Sequence, residues 1–187
     1  MIMRNYDRRH IFMAIGACIA LFSPIFLIII PLAVVNTLYY KREIWITYVP
    51  GENYVAFGVG VFFLVLACGL LWLYDVRKWT VSVGILCFIL CGLTFYIASL
   101  SYVTLSDDEI AYRTLFSNEN QVYDWKELDK LLYYEKLPED KETSYYEFLF
   151  KDGEMLTMKQ NSYVKDIQGS LSYKVRGLGI PFVYVEE

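Results

Sequence analysis

The chain lacks the combinations of residue types that commonly perform catalysis. Its one histidine is His10, so the sequence excludes His-based triads and His-containing metal sites in the rest of the chain. No glycine-rich phosphate loop is present. The acidic run Asp107-Asp108-Glu109 could bind a cation, but its position before a strand favours a solvated turn. We therefore expect no enzymatic activity, no catalytic residue, no bound metal and no cofactor.

The four cysteines lie inside apolar stretches, which makes a disulfide framework unexpected. Cys87 and Cys91 share one helix face, but no His or carboxylate lies nearby to complete a metal site. Cys18 ends the segment Ile15-Gly16-Ala17-Cys18, which is similar to a lipoprotein cleavage box. The apolar run continues for twenty residues after Cys18, which favours a plain membrane span over lipidation. We interpret all four as packing residues.

Aromatic and basic residues of the C-terminal part are the remaining candidates for function. Tyrosines are numerous there, and an exposed subset could form a protein-binding face. Basic side chains off the apolar stripe of the last helix could extend that face. The possible interaction face comprises Tyr133, Tyr134, Tyr145, Lys174 and Arg176.

Three apolar stretches precede this part, at 11–38, 54–74 and 79–103. The last has no charged side chain and, as a helix, is about 37 Å long, enough to cross a hydrocarbon core of about 30 Å. The first contains Pro24 and Pro31, which predict a kinked helix. Residues 39–53 are expected to form a loop whose aromatic rings lie at the headgroup level. The tight connection 75–78 makes the second and third spans an antiparallel hairpin.

Charge separates the chain into two parts. Residues 1–103 contain seven Lys/Arg and four Asp/Glu, a net charge of +3, whereas residues 104–187 contain ten and seventeen, a net charge of −7. We predict a membrane domain at 1–103 and a soluble domain at 104–187 that folds on its own. The acidic balance disfavours nucleic acid as a partner. It also disfavours anionic lipid headgroups.

The pattern after residue 104 predicts a small α+β domain of five or six antiparallel strands with one C-terminal helix. Strands are expected at 110–115, 121–125, 131–136, 145–150, 155–158 and 182–185, with a charged loop at 138–143. Trp125 is expected in the core. The helix runs from Ser162, its cap, to Leu178, and its apolar stripe consists of Val164, Ile167, Leu171, Val175 and Leu178.

This order of elements resembles the pleckstrin-homology-like domains found on many small bacterial membrane proteins. Three segments carry the resemblance: residues 105–114, the run Val122 to Leu128 with Trp125 and Leu128 spaced as in that family, and Phe148 to Gly153. The resemblance implies an antiparallel sheet or partial barrel closed by a helix. It carries no catalytic residues.

Two functions are compatible with these features. The first is a non-enzymatic multi-pass membrane protein whose pleckstrin-homology-like domain binds a membrane or envelope protein in assembly, sensing or an immunity-type role. The alternative is a small transporter or channel subunit that acts as a homo-oligomer in the lipid bilayer. Transport sites usually need ionisable groups at depth, and the three apolar stretches contain none, which favours the first function.

Basic residues predict the orientation in the cell membrane. The N-terminal tail and the 75–78 loop hold five Lys/Arg, against three in the first loop and the start of the soluble domain. The positive-inside rule then places the N-terminus in the cytoplasm and the C-terminal domain outside. Alkaline phosphatase fused after residue 187 should therefore be active. Activity of a cytoplasmic reporter at the same position would reverse the predicted orientation.

Overall fold

The computed structural model describes residues 8–136 and 143–186. The predicted loop 138–143, apart from Thr143, and most of the basic tail lie outside these residues. The chain divides into two compact units. The helical unit comprises the residues up to Leu38, Val49–Ser101 and Thr114–Phe116, and the sheet unit comprises Tyr39–Tyr48, Tyr102–Arg113 and the residues from Ser117 onward.

The helical unit has three long helices: α1 (Arg8–Tyr39), α2 (Gly51–Leu73) and α3 (Lys78–Ser99). Each is long and apolar enough to cross a membrane, which confirms the three predicted helices. Pro24 and Pro31 lie within α1. The predicted end of the third span is wrong: α3 ends at Ser99, and Val103 belongs to a strand.

Close packing in this unit depends on small residues. A Cβ atom added to Gly60 of α2 would lie 2.3 Å from the ring of Phe95 on α3, and that ring also packs on Phe57 with centroids 5.0 Å apart. A Cβ atom on Gly16 of α1 would lie 2.9 Å from Cβ of Cys68. Apolar helices gain no hydrophobic free energy by associating within lipid, so van der Waals contact at closely packed positions such as these stabilises the association.

A buried side-chain amide donates hydrogen bonds to carbonyl groups at the C-terminal end of α3. Asn53 is fully buried, and its Nδ2 donates to the carbonyl oxygens of Ala98 at 3.0 Å and Ser101 at 2.7 Å. Carbonyl groups at a helix C-terminus have no partner within the helix and are costly to leave unpaired near hydrocarbon. Asn53, in the first turn of α2, therefore donates to one carbonyl group in the last turn of α3 and to one just beyond its end.

The sheet unit contains two four-stranded sheets. The first has the order β1 (Ile44–Tyr48), β2 (Tyr102–Ser106), β3 (Glu109–Arg113) and β4 (Gln121–Asp124), all antiparallel. The strands of the second, in chain order, are β5 (Leu128–Glu135), β6 (Tyr145–Phe150), β7 (Met155–Lys159) and β8 (Phe182–Glu186). Its spatial order is β7-β6-β5-β8.

Two sequence predictions about these strands need correction. Residues 44–48, assigned to a loop, form β1, whose Tyr48 pairs with Val103 of β2. The proposed division 1–103 and 104–187 therefore separates β1 from its sheet and cuts through β2. The last strand was expected to be antiparallel, but β8 runs parallel to β5. A parallel neighbour requires a crossover, and the C-terminal helices supply it.

The predicted C-terminal helix is present but interrupted. It consists of α4 (Ser162–Asp166) and α5 (Gln168–Gly177), and Asn161 rather than Ser162 is the cap, with Oδ1 accepting from the Val164 amide at 2.9 Å. Leu171 is fully buried, whereas Leu178, assigned to the same stripe, is 40% exposed. Residues of both sheets and both helices share one core. Its largest fully buried side chains are Trp125, Tyr146, Phe148, Leu105, Ile110, Leu128 and Leu131.

Leu171→Ala tests the contribution of α5 to the core. Removing this buried side chain should lower the free energy of unfolding of the sheet unit by about 2–5 kcal/mol and reduce the abundance of the full chain. Tyr173→Ala is the matched control, since Tyr173 lies on the same helix and is 82% exposed. Equal abundance of the two variants would show that the stripe of α5 contributes nothing to stability.

A soluble form of the sheet unit tests the role of β1. Because Tyr48 pairs with Val103, replacing residues 50–101 by the two-residue turn Asn-Gly should join β1 and β2 as a tight hairpin. The resulting chain, 39–49 joined to 102–187, should unfold cooperatively on heating. Residues 104–187 alone leave Ile46 and Tyr48 out of the core and should melt at a lower temperature. Identical circular-dichroism melting curves would contradict this role.

Candidate functional site

Aromatic, charged and small polar residues meet in a groove of the sheet unit, with a volume of about 470 Å³. Ligand sites commonly have volumes of about 300–1,000 Å³ and combine apolar walls with a few polar groups. Residues from three parts of the fold line it: Trp45, Asp107, Gly169, Ser170, Tyr173 and Lys174.

The indole wall of the groove is fixed by core packing. Trp45 lies on β1, and its ring packs on the buried ring of Trp125 with centroids 5.6 Å apart and an interplanar angle of 30°. Nε1 of Trp125 donates to the carbonyl oxygen of Ser106 at 3.0 Å. The anchored ring of Trp125 thereby supports Trp45, which gives the groove a rigid apolar wall.

Asp107 projects from the turn between β2 and β3. The Ser106 hydroxyl accepts from the amides of Asp108 at 3.3 Å and Glu109 at 3.0 Å, and it donates to the Glu109 carbonyl at 3.0 Å. These local bonds form a side-chain-stabilised turn. The carboxylate of Asp107 takes no part in them and is exposed to solvent.

The opposite wall is one face of α5. Gly169 and Ser170 lie one helical turn before Tyr173 and Lys174, so the four residues are neighbours on the helix surface. Space around Gly169 is open, because a Cβ atom there would meet no atom within 4 Å. Leu171 and Val175 face the core, and this burial orients the polar face toward the groove.

Charges of both signs remain available in the groove. Asp107 and Lys174 line it together, yet neither belongs to an ion pair within the described part of the chain. An extended polypeptide could offer an amine or guanidinium to Asp107, a carbonyl or carboxylate to Lys174, and an apolar side chain to Trp45.

The predicted interaction face is not assembled in the structure. Tyr133 is buried; its ring packs on Tyr146 with centroids 4.7 Å apart, and its hydroxyl donates to Oε1 of Gln160 at 3.2 Å. Tyr134 and Tyr145 stack on each other across paired strands, with centroids 4.6 Å apart. They lie on the other side of the sheet from Tyr133, as successive strand residues must. Tyr133 therefore cannot contribute to a surface.

The two residues of the predicted face that lie on α5 differ in their position relative to the groove. Lys174 lines the groove, whereas Arg176 is exposed on α5 without lining it. The sequence analysis missed Trp45 because this residue was assigned to a loop at the headgroup level. It missed Tyr173 because a single exposed tyrosine leaves no repeating pattern in the sequence. Asp107 was considered only as a cation ligand. Among residues 8–136 and 143–186, no group of three or more His, Cys, Asp or Glu is placed to hold a metal ion.

One further carboxylate has structural partners at the β6–β7 turn. Asp152 accepts from the Glu154 amide at 3.0 Å and from the Tyr123 hydroxyl at 2.8 Å. These two bonds, the backbone one first, lower the pKa of Asp152 below its ordinary value. The interaction fixes the turn to the aromatic stack of Tyr112, Tyr123 and Phe150, so we assign it to the fold.

No protein-family model matches the chain, and no curated protein matches its sequence. Any function therefore has to be argued from the grooves and charges of the chain itself.

Proposed function

We propose that the chain is a non-enzymatic, multi-pass membrane protein whose sheet unit binds a segment of another membrane or envelope protein. The groove lined by Trp45, Asp107 and Lys174 is the observation that carries this proposal. It combines a rigid aromatic wall with two unpaired charges of opposite sign. Such a surface recognises an amphipathic polypeptide better than a uniformly charged one.

The exposure of Tyr173 supports the same proposal. Its side chain is 82% exposed at the rim of the groove, and tyrosines in such positions are enriched at protein interfaces. The resemblance to pleckstrin-homology-like domains, the bacterial origin it implies and the outward orientation belong to the proposal as well. They describe a binding module attached to membrane spans. The transporter or channel alternative stays a prediction, because no observation on the described residues favours it.

Photocrosslinking in the native host membrane tests the proposal. The photoreactive amino acid p-benzoylphenylalanine replaces Tyr173 at the groove or Tyr163 as the control. Tyr163 is a second exposed tyrosine, on α4, that does not line the groove. We expect one discrete protein adduct from position 173 and none of that mass from position 163, with the partner identified by mass spectrometry.

Charge variants sharpen this experiment. Asp107→Asn removes a charge and Lys174→Glu reverses one, both at unpaired positions, so the two variants should leave abundance unchanged. Each should reduce the adduct by about tenfold or more, as expected for the loss of one charge-assisted hydrogen bond. Arg176→Glu is the control on the same helix outside the groove. Equal adducts from positions 173 and 163, or adducts unaffected by both groove variants, would refute binding at this groove.

A further inference from the structure

A second groove, of about 440 Å³, lies entirely within the helical unit. Val55 and Val59 of α2 form one wall and Ile97 of α3 the other. Leu115 and Phe116, which belong to the helical unit although they lie between β3 and β4 in sequence, complete it. This groove is separate from the proposed protein-binding site and independent of its function.

The position of the groove along the helices defines its surroundings. Val55 and Val59 lie about 6 Å and 12 Å along the axis from the start of α2, at about 1.5 Å per residue. Ile97 lies in the last turn of α3. Because α2 and α3 are candidate membrane spans, the groove starts near one end of both spans, where acyl chains meet headgroups, and extends along them toward the hydrocarbon core. With both helices in a bilayer, the exposed side chains of the groove contact lipid.

The wall of the groove is apolar apart from one carboxylate. Thr94 also lines it, but its hydroxyl donates to the carbonyls of Leu90 and Cys91 of its own helix, both at 2.9 Å. Glu52, in the first turn of α2, is exposed at the groove, and its carboxylate has no hydrogen bond or ion pair within the described part of the chain. Its charge is the one feature here that distinguishes headgroups.

Phe116 indicates that the groove is not an aqueous surface. Its side chain is 87% exposed, more than that of any other large apolar residue in the described part of the chain. A phenylalanine this exposed to water would forfeit the gain of burying its ring, whereas beside an acyl chain it is in an apolar medium. Leu115 and Phe116 together extend the apolar wall beyond the helices.

We propose that this groove binds one phospholipid of the surrounding bilayer, with an acyl chain along Val55, Val59 and Ile97 and a primary amine of its headgroup on the Glu52 carboxylate. Acyl chains gain no hydrophobic free energy by moving from bilayer to protein, so retention depends on shape and on the headgroup contact. An ammonium donates charge-assisted hydrogen bonds to a carboxylate. Glu52 repels a headgroup of net negative charge.

Native mass spectrometry of the full-length protein in detergent micelles tests the proposal. Phosphatidylethanolamine, phosphatidylcholine and phosphatidylglycerol with identical acyl chains are added in turn, and the fraction of protein carrying one lipid is measured. Phosphatidylethanolamine should bind about tenfold more tightly than phosphatidylglycerol, which corresponds to one charge-assisted hydrogen bond. Phosphatidylcholine, whose quaternary ammonium has no N–H donor, should fall between them.

Variants separate the headgroup contact from the acyl-chain contact. Glu52→Gln should retain lipid but lose the preference among headgroups. Val59→Phe fills the groove and should abolish the one-lipid species, and Val55→Phe serves the same purpose at a more exposed position. Val81→Phe is the matched control, because Val81 also lies on a membrane helix with similar exposure (36%, against 41% for Val59) and outside the groove.

Three outcomes would overturn the proposal. Equal binding of the three lipids by the unmodified chain would exclude the amine contact. A one-lipid species that survives in folded Val59→Phe and Val55→Phe would place the lipid elsewhere. A dimeric mass that Val59→Phe abolishes would assign the groove to a second copy of the chain. The lipid experiment uses no protein partner, so its failure leaves the protein-binding proposal unaffected.

Discussion

The pairing of β1 with β2 is the constraint on which the sheet unit depends. Tyr48 and Val103 are register partners, although the two helices α2 and α3 lie between them in sequence. Closing a flexible loop of about 54 residues would cost about 3.5 kcal/mol from its length alone. An antiparallel helical hairpin returns the chain close to where it left, so much of this entropy is already lost when α2 packs on α3. The stability of the pairing is thus linked to the order of the helices.

That constraint extends to the groove of the sheet unit. Trp45 lies on β1 and packs on Trp125, whose indole donates to the carbonyl of Ser106 at the end of β2. Asp107 follows Ser106 directly. The aromatic wall of the groove therefore exists because β1 occupies the edge of the first sheet, whereas the Asp107 turn is held by its own local hydrogen bonds and the α5 wall by the burial of Leu171 and Val175. Loss of β1 removes the aromatic wall without touching a charged residue.

The sequence predicted the elements with strong periodicity and missed those without it. The apolar spans, Trp125 in the core and the buried positions of Val164, Leu171 and Val175 were all predictable, because burial leaves a pattern in the chain. β1 was not, since Ile44–Tyr48 pairs with residues more than fifty positions away. Its aromatic residues fitted a headgroup loop equally well. The parallel direction of β8 was likewise set by tertiary pairing with β5.

The candidate site was less predictable than the fold for a related reason. Tyr133 and Tyr134 are adjacent in sequence, but strand alternation places one in the core and the other on the opposite face. Their shared residue type carried no information about exposure. Lys174 was found because it lies off the helix stripe. Trp45 and Asp107, which meet it in the groove, come from distant segments that only the sheet register brings together.

The insertion of a helical hairpin between two paired strands determines the order of events during synthesis. β1 leaves the ribosome before either helix of the hairpin and has no partner until β2 emerges, after both helices have been made. The first sheet, and with it the aromatic wall of the groove, is therefore incomplete until the last residues of β2 have been made. Until then β1 is an unpaired strand, the kind of segment that promotes aggregation in incompletely folded chains.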